Sequence, residues 1–332
     1  MCPTLYKNPA KTIVSLFQVL HFAAHIAPVL YSEARPVDGR VFTRRGLTPK
    51  MTSGQAQTDN SKSQTQDGKP DGLYLSVVIP AYNESTRLPE SLKKVIEYLE
   101  SKEYTYEVIV VDDGSDDDTA PLAEQFAADT ELRNPDSKLH IIRNPHRGKG
   151  YAVRTGMLAA QGRYILYSDA DFSAPIEEVD KLLRYLEGKY DIAIGSREGK
   201  GASRYDEPFY RHLMGRVFNT FVKLVALPQF SDTQCGFKAF RKKASDTLFR
   251  SLNLYGDNSP DVQGAMVTGF DVEVLYLALK WGYKVKEVPV RWFYSKGANV
   301  NPIKDSYRML KDIAKVKMND LRGVYKKGPA KS

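Results

Sequence analysis

Residues 73–115, LYLSVVIPAYNESTRLPESLKKVIEYLESKEYTYEVIVVDDGS, hold two short apolar runs with a helical pattern between them. The runs 73–82 and 106–111 are rich in β-branched residues, which is typical of buried strands. Between the runs, apolar residues recur at the spacing of one helix face: Leu88, Leu92, Val95, Ile96 and Leu99. A strand, a helix and a strand in this order predict a right-handed crossover within a parallel sheet.

The same alternation continues along the chain. Three further apolar runs predict strands, and three segments with helical spacing predict helices of ordinary length. The strands are predicted at 138–145, 163–171 and 190–198, and the helices at 118–129, 150–161 and 175–188. The sequence therefore predicts an α/β domain with a mostly parallel sheet flanked by helices.

The positive charge of the chain lies at its two ends. The net charge is +8, but residues 1–70 carry +5 and residues 302–332 carry +6, so residues 71–301 carry −3. A nucleic-acid-binding protein typically has its basic stripe on the folded body, so this distribution argues against that class. Basic ends suit an anionic membrane surface, although solvated tails would give the same pattern.

Four regions follow from composition. Residues 1–49 form an N-terminal extension whose apolar stretch 13–31 suits an anchor, a signal-like segment or an interfacial helix. Residues 50–72 are poor in apolar residues and predict a disordered linker. Residues 73–300 are predicted to form the folded domain, and residues 301–332 a basic amphipathic segment. The two cysteines predict no disulfide framework.

Polar residues gather where the predicted strands end. The ends carry Pro80–Glu84, Asp112–Ser115, Asp169–Asp171 and Gly195–Arg197. Each group alone has a structural explanation as a turn or a helix cap. Because ligands of α/β sheets bind at the carboxyl ends of parallel strands, we expect the four groups to meet at one site.

Asp169 and Asp171 predict a divalent cation at that site. Residues i and i+2 at the end of a strand project to the same side. Mg²⁺ takes one or two carboxylates and fills its shell with substrate phosphates and water. Lys149, at the start of a predicted helix in HRGKGYA, suits a phosphate. The turn after the first strand lacks G-x-G-x-x-G, and no P-loop motif is present.

Five segments together resemble family 2 glycosyltransferases of the GT-A fold. They are VVIPAYNE, VIVVDDGSDDDT, RNPHRGKGYAVRTGMLAAQGRYILYSDADFSAP, IAIGSRE and DTQCGFKAFRK. The set is most similar to the branch that transfers glucose or mannose to polyprenyl phosphates. The resemblance covers roughly residues 74–325 and implies an Asp-x-Asp site for Mg²⁺ or Mn²⁺.

The resemblance also implies a role for each matching residue. Asp169 and Asp171 would hold the metal and the diphosphate, with Asp171 counted among the catalytic residues; Ser173 stands where some relatives have a Gln. Arg197 and Lys149 would contact phosphate. The remaining positions would line the nucleoside, the sugar or the acceptor: Pro80, Tyr82, Glu84, Asp112, Asp113, Asp232, Gln234 and Gly236 to Lys238.

The resemblance favours transfer of glucose from UDP-glucose to dolichyl or another polyprenyl phosphate, with inversion at the sugar carbon. The alternatives are a GDP-mannose-using enzyme of the same branch and a transferase to a saccharide. A saccharide acceptor would need a general base, for which Asp271 is the candidate, but Asp271 also suits the first turn of a helix. A nucleotide-sugar-binding scaffold without activity is disfavoured because both acids of the pair are present.

Two amphipathic segments, 209–227 and 302–327, favour a lipid acceptor and contact with a membrane surface, although packing on the sheet is the alternative for each. If 13–31 spans a membrane, the four arginines that follow it outnumber the two lysines that precede it. That bias predicts a catalytic domain on the cytosolic face, where nucleotide sugars are found.

Overall fold

The computed structural model describes the residues 72–206, 227–256, 261–262, 269–295, 302–326 and 328. The predictions for 13–31 and 50–71 lie outside the described residues, as does the amphipathic segment 209–227 apart from its last residue.

Strands and helices alternate through the first half of the described chain, as predicted. The strands are β1 (Leu75–Ala81), β2 (Tyr106–Asp112), β3 (Lys138–Arg143), β4 (Tyr164–Ser168) and β5 (Ile192–Ser196). The helices between them are α1 (Leu88–Glu100), α2 (Thr119–Asp129), α3 (Lys149–Ala159) and α4 (Val179–Glu187).

The second half of the chain is less regular. Its strands are β6 (Ser203–Tyr205), β7 (Phe237–Arg241), β8 (Val285–Pro289) and β9 (Arg291–Phe293). Its helices are α5 (Lys242–Arg250), α6 (Phe270–Lys280) and α7 (Pro302–Leu321).

Seven of the described strands form one sheet in the order β3-β2-β1-β4-β7-β5-β8, and β6 pairs with β9 in a small second sheet. In the large sheet only β7 runs antiparallel to its neighbours β4 and β5. Because β7 is reversed, the residues before it lie at the edge where the parallel strands end. This strand brings the segment 232–236 to the same edge as Asp169 and Arg197.

Burial on both faces explains the continuous apolar runs. Every residue of β1, β2, β4 and β5 is buried. The apolar face predicted for α1 is the buried one, with all five of its apolar residues in the core. The outermost strand β3 has exposed and half-buried residues in turn. The mostly parallel sheet flanked by helices is thus confirmed.

Candidate active site

The strand ends that carry polar residues lie side by side, because β2, β1, β4, β7 and β5 are consecutive in the sheet. Ala81 pairs with Asp112, and Ser168 pairs with Phe237. The groups after β1, β2, β4 and β5 therefore lie along one edge of the sheet, which is called the cleft here.

Asp169 lies unusually close to the start of β7. Its backbone N–H donates to the carbonyl of Gly236 at 3.1 Å. A Cβ on Gly236 would stand 2.2 Å from Asp169 Oδ2 and 2.3 Å from its Cγ. Such a contact is far inside van der Waals distance, so only glycine at 236 leaves room for this carboxylate.

Asp171 is held by a turn, and its surroundings disfavour its negative charge. Its Oδ1 accepts from the backbone N–H of Ser173 at 3.0 Å. Burial raises the pKa of the Asp171 carboxyl, and the negative charge of Asp169 raises it further. A second carboxylate beside a buried one favours a cation near the pair.

Lys149, the first residue of α3, already supplies a positive charge. Its Nζ lies 2.5 Å from Asp169 Oδ1. Burial opposes its charged form, but Asp169, Asp271 and Asp171 prevail and raise the pKa of the ammonium. The lysine predicted to contact phosphate thus lies within the carboxylate cluster.

The donor set fits a hard divalent cation that is shared with a ligand. Among the described residues there is no group of three or more His, Cys, Asp or Glu arranged to hold a metal ion. Asp169 and Asp171 offer two carboxylates, which is what Mg²⁺ or Mn²⁺ takes when diphosphate oxygens and water complete its shell. The described residues therefore supply only some of the ligands that the cation needs.

The loop after β3 is fixed by Asp113. Its Oδ1 accepts from the N–H of Arg147 at 3.1 Å, and its Oδ2 accepts from the N–H of Gly148 at 2.8 Å. The His146 ring lies 2.8 Å from the same Oδ2 and stacks on Tyr82 with ring centroids 3.9 Å apart. Asp113 therefore anchors the loop that carries Lys149; its predicted contact with a nucleoside stays a prediction.

Asp112 and Tyr82 are better placed for a nucleoside. Asp112 Oδ1 is buried without a hydrogen-bond partner among the described groups, so it is an acceptor that a ligand N–H could satisfy. The half-buried ring of Tyr82 offers a flat surface nearby.

Pro80 lies within β1, and Glu84 is held by Arg87 at 2.7 and 2.8 Å. Burial raises the pKa of Glu84, and Asp171 and Asp169 add to the rise.

Arg197 forms a two-pronged ion pair with Asp232. Its Nε and Nη2 lie 2.7 and 2.9 Å from the two carboxylate oxygens. Burial alone would raise the pKa of Asp232, but the guanidinium holds it well below its usual range. Asp232 is fully buried and orients Arg197; its predicted place beside the sugar stays a prediction. Gln234 is half-buried, and its amide donates to Thr233.

Glu287 on β8 fixes the segment before Asp232, and no sequence motif indicated this residue. Its Oε1 accepts from the Ser196 hydroxyl at 2.7 Å and from the N–H of Asp232 at 2.8 Å. One carboxylate thereby ties the end of β5 to the segment that leads into β7.

Asp271 belongs to a buried cluster with Lys238 and Tyr167. Lys238 Nζ donates to Asp271 Oδ1 at 2.7 Å, to the Tyr167 hydroxyl at 2.9 Å and to the carbonyl of Cys235 at 2.5 Å. The Tyr167 hydroxyl also donates to Asp271. Lys238 is 1% exposed, and its predicted place beside the sugar or the acceptor stays a prediction.

The sequence of the chain is similar to those of known glycosyltransferases. Residues 76–249 match the profile described as "Glycosyl transferase family 2". The chain belongs to glycosyltransferase family 2. Proteins named dolichyl-phosphate beta-glucosyltransferase are similar: one from Drosophila melanogaster is 36% identical over 76% of this chain and 77% of its own, and one from Dictyostelium discoideum is 34% identical over 77% of each. The human protein of that name is 33% identical over 76% of this chain and 77% of its own.

Solved structures of other glycosyltransferases share the fold. Mannosyl-3-phosphoglycerate synthase from Rubrobacter xylanophilus matches with a TM-score of 0.53 and 17% identity over 76% of each chain. Glucosyl-3-phosphoglycerate synthase from Mycobacterium tuberculosis, in complex with Mg²⁺ and UDP, matches with a TM-score of 0.51 and 17% identity over 74% of this chain and 80% of that chain. The GT-A fold predicted for this family 2 enzyme is confirmed.

The Arg197–Asp232 pair makes the stability of the enzyme depend on pH. The folded-state pKa of Asp232 is lowered, so its contribution is present above the unfolded pKa of about 4 and is lost as pH falls below it. At pH 7, Asp232→Asn should lower the free energy of unfolding by about 3–5 kcal/mol, because Arg197 loses its counter-ion.

Urea unfolding at several pH values checks this prediction. The gap between the wild type and Asp232→Asn should shrink between about pH 5 and pH 2. Asp180→Asn, which removes a half-exposed partner of Lys102, is the control and should cost about 0–1 kcal/mol. A gap for Asp232→Asn that stays constant with pH would contradict the assignment.

Proposed function

We propose that this family 2 enzyme transfers glucose from UDP-glucose to dolichyl phosphate. The observation that carries the proposal is the Asp169–Asp171 pair with Lys149 at the strand edge, in a chain similar over three quarters of its length to dolichyl-phosphate beta-glucosyltransferases. In the reaction, the bond from the sugar C1 to the UDP oxygen breaks. A bond from C1 to a phosphate oxygen of the acceptor forms with inversion, and UDP leaves.

The residues of the cleft have separate tasks in this proposal. Asp112 and Tyr82 bind the nucleoside, while Asp169 and Asp171 hold Mg²⁺ or Mn²⁺. The metal ion, when bound, neutralises the charge that develops on the leaving diphosphate. Lys149 adds a further positive charge, and Arg197, oriented by Asp232, contacts a phosphate. Positioning and charge neutralisation then account for the rate.

The state of Asp271 supports a phosphate acceptor over a saccharide. An alcohol must lose a proton during the transfer, whereas a phosphate is already anionic near neutral pH. Asp271 is 5% exposed and is paired with Lys238, so its carboxylate is already engaged by an ammonium and little of it is open to an acceptor. A lipid phosphate needs no such base.

An exposed surface on α7 and the turn after it supports contact with an anionic membrane. This surface, called the outer face of α7 here, consists of Lys311, Lys315, Met318, Leu321, Arg322 and Val324. We place it on the cytosolic side, where nucleotide sugars are found. All six residues are exposed. The opposite face packs on the domain through Leu310, Ile313 and Val316. The acids of this part of α7 point inward: Asp312 accepts from the Tyr255 hydroxyl at 2.6 Å, and Asp320 from the Tyr276 hydroxyl at 2.5 Å.

Because the acids point inward, the outer face of α7 carries only basic and apolar groups. A surface of this composition binds anionic bilayers. No described helix is long and apolar enough to cross a membrane. The domain bounds 1–49, 50–72, 73–300 and 301–332 remain proposals.

The reaction is tested with radiolabelled donors, dolichyl phosphate and Mg²⁺. We expect label from UDP-glucose to become soluble in chloroform–methanol, and chelation of the metal to abolish the product. Asp171→Asn should lower the rate by about 100-fold or more, because the cation loses a ligand. Asp180→Asn, far from the cleft, should keep the rate of the wild type.

The outcomes separate the alternatives. Labelled lipid from GDP-mannose instead of UDP-glucose would overturn the donor assignment. Transfer to a soluble saccharide, abolished by Asp271→Asn, would overturn the acceptor. No product with any UDP- or GDP-sugar would refute the proposed reaction.

Membrane contact is tested by sedimentation with vesicles that contain or lack anionic lipid. Charge reversal of Lys311, Lys315 and Arg322 to Glu should weaken binding to anionic vesicles by about 100-fold or more, since each basic residue contributes about 1 kcal/mol. The matched control reverses Lys93 and Lys94, two exposed lysines of α1. Equal loss in both variants, or none in either, would contradict the assignment of the face.

A further inference from the structure

The ion pair between Lys149 and Asp169 occupies the position where a cation is expected. Lys149 Nζ is 2.5 Å from Asp169 Oδ1. That oxygen is buried, and no described donor meets it in hydrogen-bond geometry. The ammonium is close enough to compensate the charge of Asp169.

The backbone on both sides of Lys149 is fixed. The N–H of Gly148 donates to the buried carboxylate of Asp113 at 2.8 Å. Gly150 lies against the ring of Tyr255, since a Cβ at 150 would come within 2.8 Å of that ring. The ammonium can change partners by side-chain rotation, but its point of attachment stays at the cleft.

Charge balance decides what can bind beside it. The cluster holds the carboxylates of Asp169, Asp171 and Asp271 and the ammoniums of Lys149 and Lys238, a net charge of −1. A divalent cation alone would reverse this to +1 and would lie next to the Lys149 ammonium, an unfavourable arrangement at short range. A divalent cation that arrives with a diphosphate diester is neutral as a pair and leaves the net charge unchanged.

We propose that Lys149 couples metal binding to nucleotide binding. Without nucleotide, Lys149 holds Asp169 and opposes binding of the metal alone. With nucleotide, the diphosphate oxygens accept hydrogen bonds from the Lys149 ammonium. The carboxylate of Asp169 is then free to bind the cation. The proposal rests on the proposed function in one respect, that the ligand of this cleft is a nucleoside diphosphate or its sugar ester.

The coupling predicts opposite changes in two affinities when the charge of Lys149 is removed. In Lys149→Met, Mn²⁺ alone should bind about tenfold more tightly, because the competing ammonium is gone. In the same variant, UDP should bind about tenfold more weakly in the presence of Mn²⁺, because a phosphate contact is lost. A loss of local structure would weaken both affinities together.

The test is a titration of the purified full chain with Mn²⁺, followed by electron paramagnetic resonance, with and without UDP. Lys149→Arg keeps the positive charge and should keep the low affinity for Mn²⁺ alone. Lys102→Met is the matched control, because Lys102 forms a similar 2.9 Å pair with Asp180 away from the cleft. It should behave as the wild type in both titrations.

The results also separate this inference from the proposed function. A wild type that binds UDP with Mn²⁺, together with a Lys149→Met that gains no affinity for Mn²⁺ alone, would overturn the coupling and leave the reaction intact. A Lys149→Arg variant that gains as much as Lys149→Met would overturn it too. A wild type that binds no UDP with Mn²⁺ would overturn both.

Discussion

The contact between the Asp169 carboxylate and Gly236 sets the geometry of the cleft. Asp169 ends a parallel strand, and Gly236 precedes the antiparallel strand beside it, so the two meet where the sheet reverses direction. The carboxylate occupies the space that a Cβ at 236 would fill. From this position it reaches Lys149 and lies near Asp171, and thus one missing methyl group fixes the centre of the charged cluster.

Buried ion pairs extend this constraint outward. Arg197 with Asp232 and Lys238 with Asp271 lie on both sides of the segment that contains Gly236. Such pairs add little to the stability of the folded protein, because the cost of desolvating the charges offsets their attraction. Each pair, however, allows only a narrow range of geometries. We infer that their main contribution is to hold the ends of β4, β5 and α6 in register around the cleft.

The sequence was sufficient for the alternation of strands and helices, because buried parallel strands and amphipathic helices leave distinct patterns. It also placed the polar residues of four strand ends at one edge. It could not reveal that β7 is inserted antiparallel between β4 and β5, since the residue pattern of a five-residue strand carries no information on its direction. That insertion places Asp232 beside Arg197 and Lys238 beside Tyr167, with both side chains buried.

Other site residues depend on tertiary contacts in the same way. Asp113 follows a strand just as Asp112 does, yet its two oxygens hold a loop more than 30 residues further along the chain. Glu287 has no motif at all, and its function as an acceptor for two distant segments follows only from the pairing of β8 with β5. Local sequence patterns therefore predict which residues line the cleft, but not the residues, such as Asp113 and Glu287, that hold its loops in place.

The affinity of Gly236→Ala for UDP in the presence of Mg²⁺, measured by titration calorimetry, tests the central claim most directly. Gly162→Ala is its matched control: a Cβ there would come 2.6 Å from the backbone of Ser76, at the opposite edge of the sheet. If Asp169 must lie against residue 236 to bind the metal and diphosphate, Gly236→Ala should lower the affinity at least about tenfold, while Gly162→Ala should leave it unchanged. An unchanged affinity in Gly236→Ala, or equal losses in both variants, would contradict that claim.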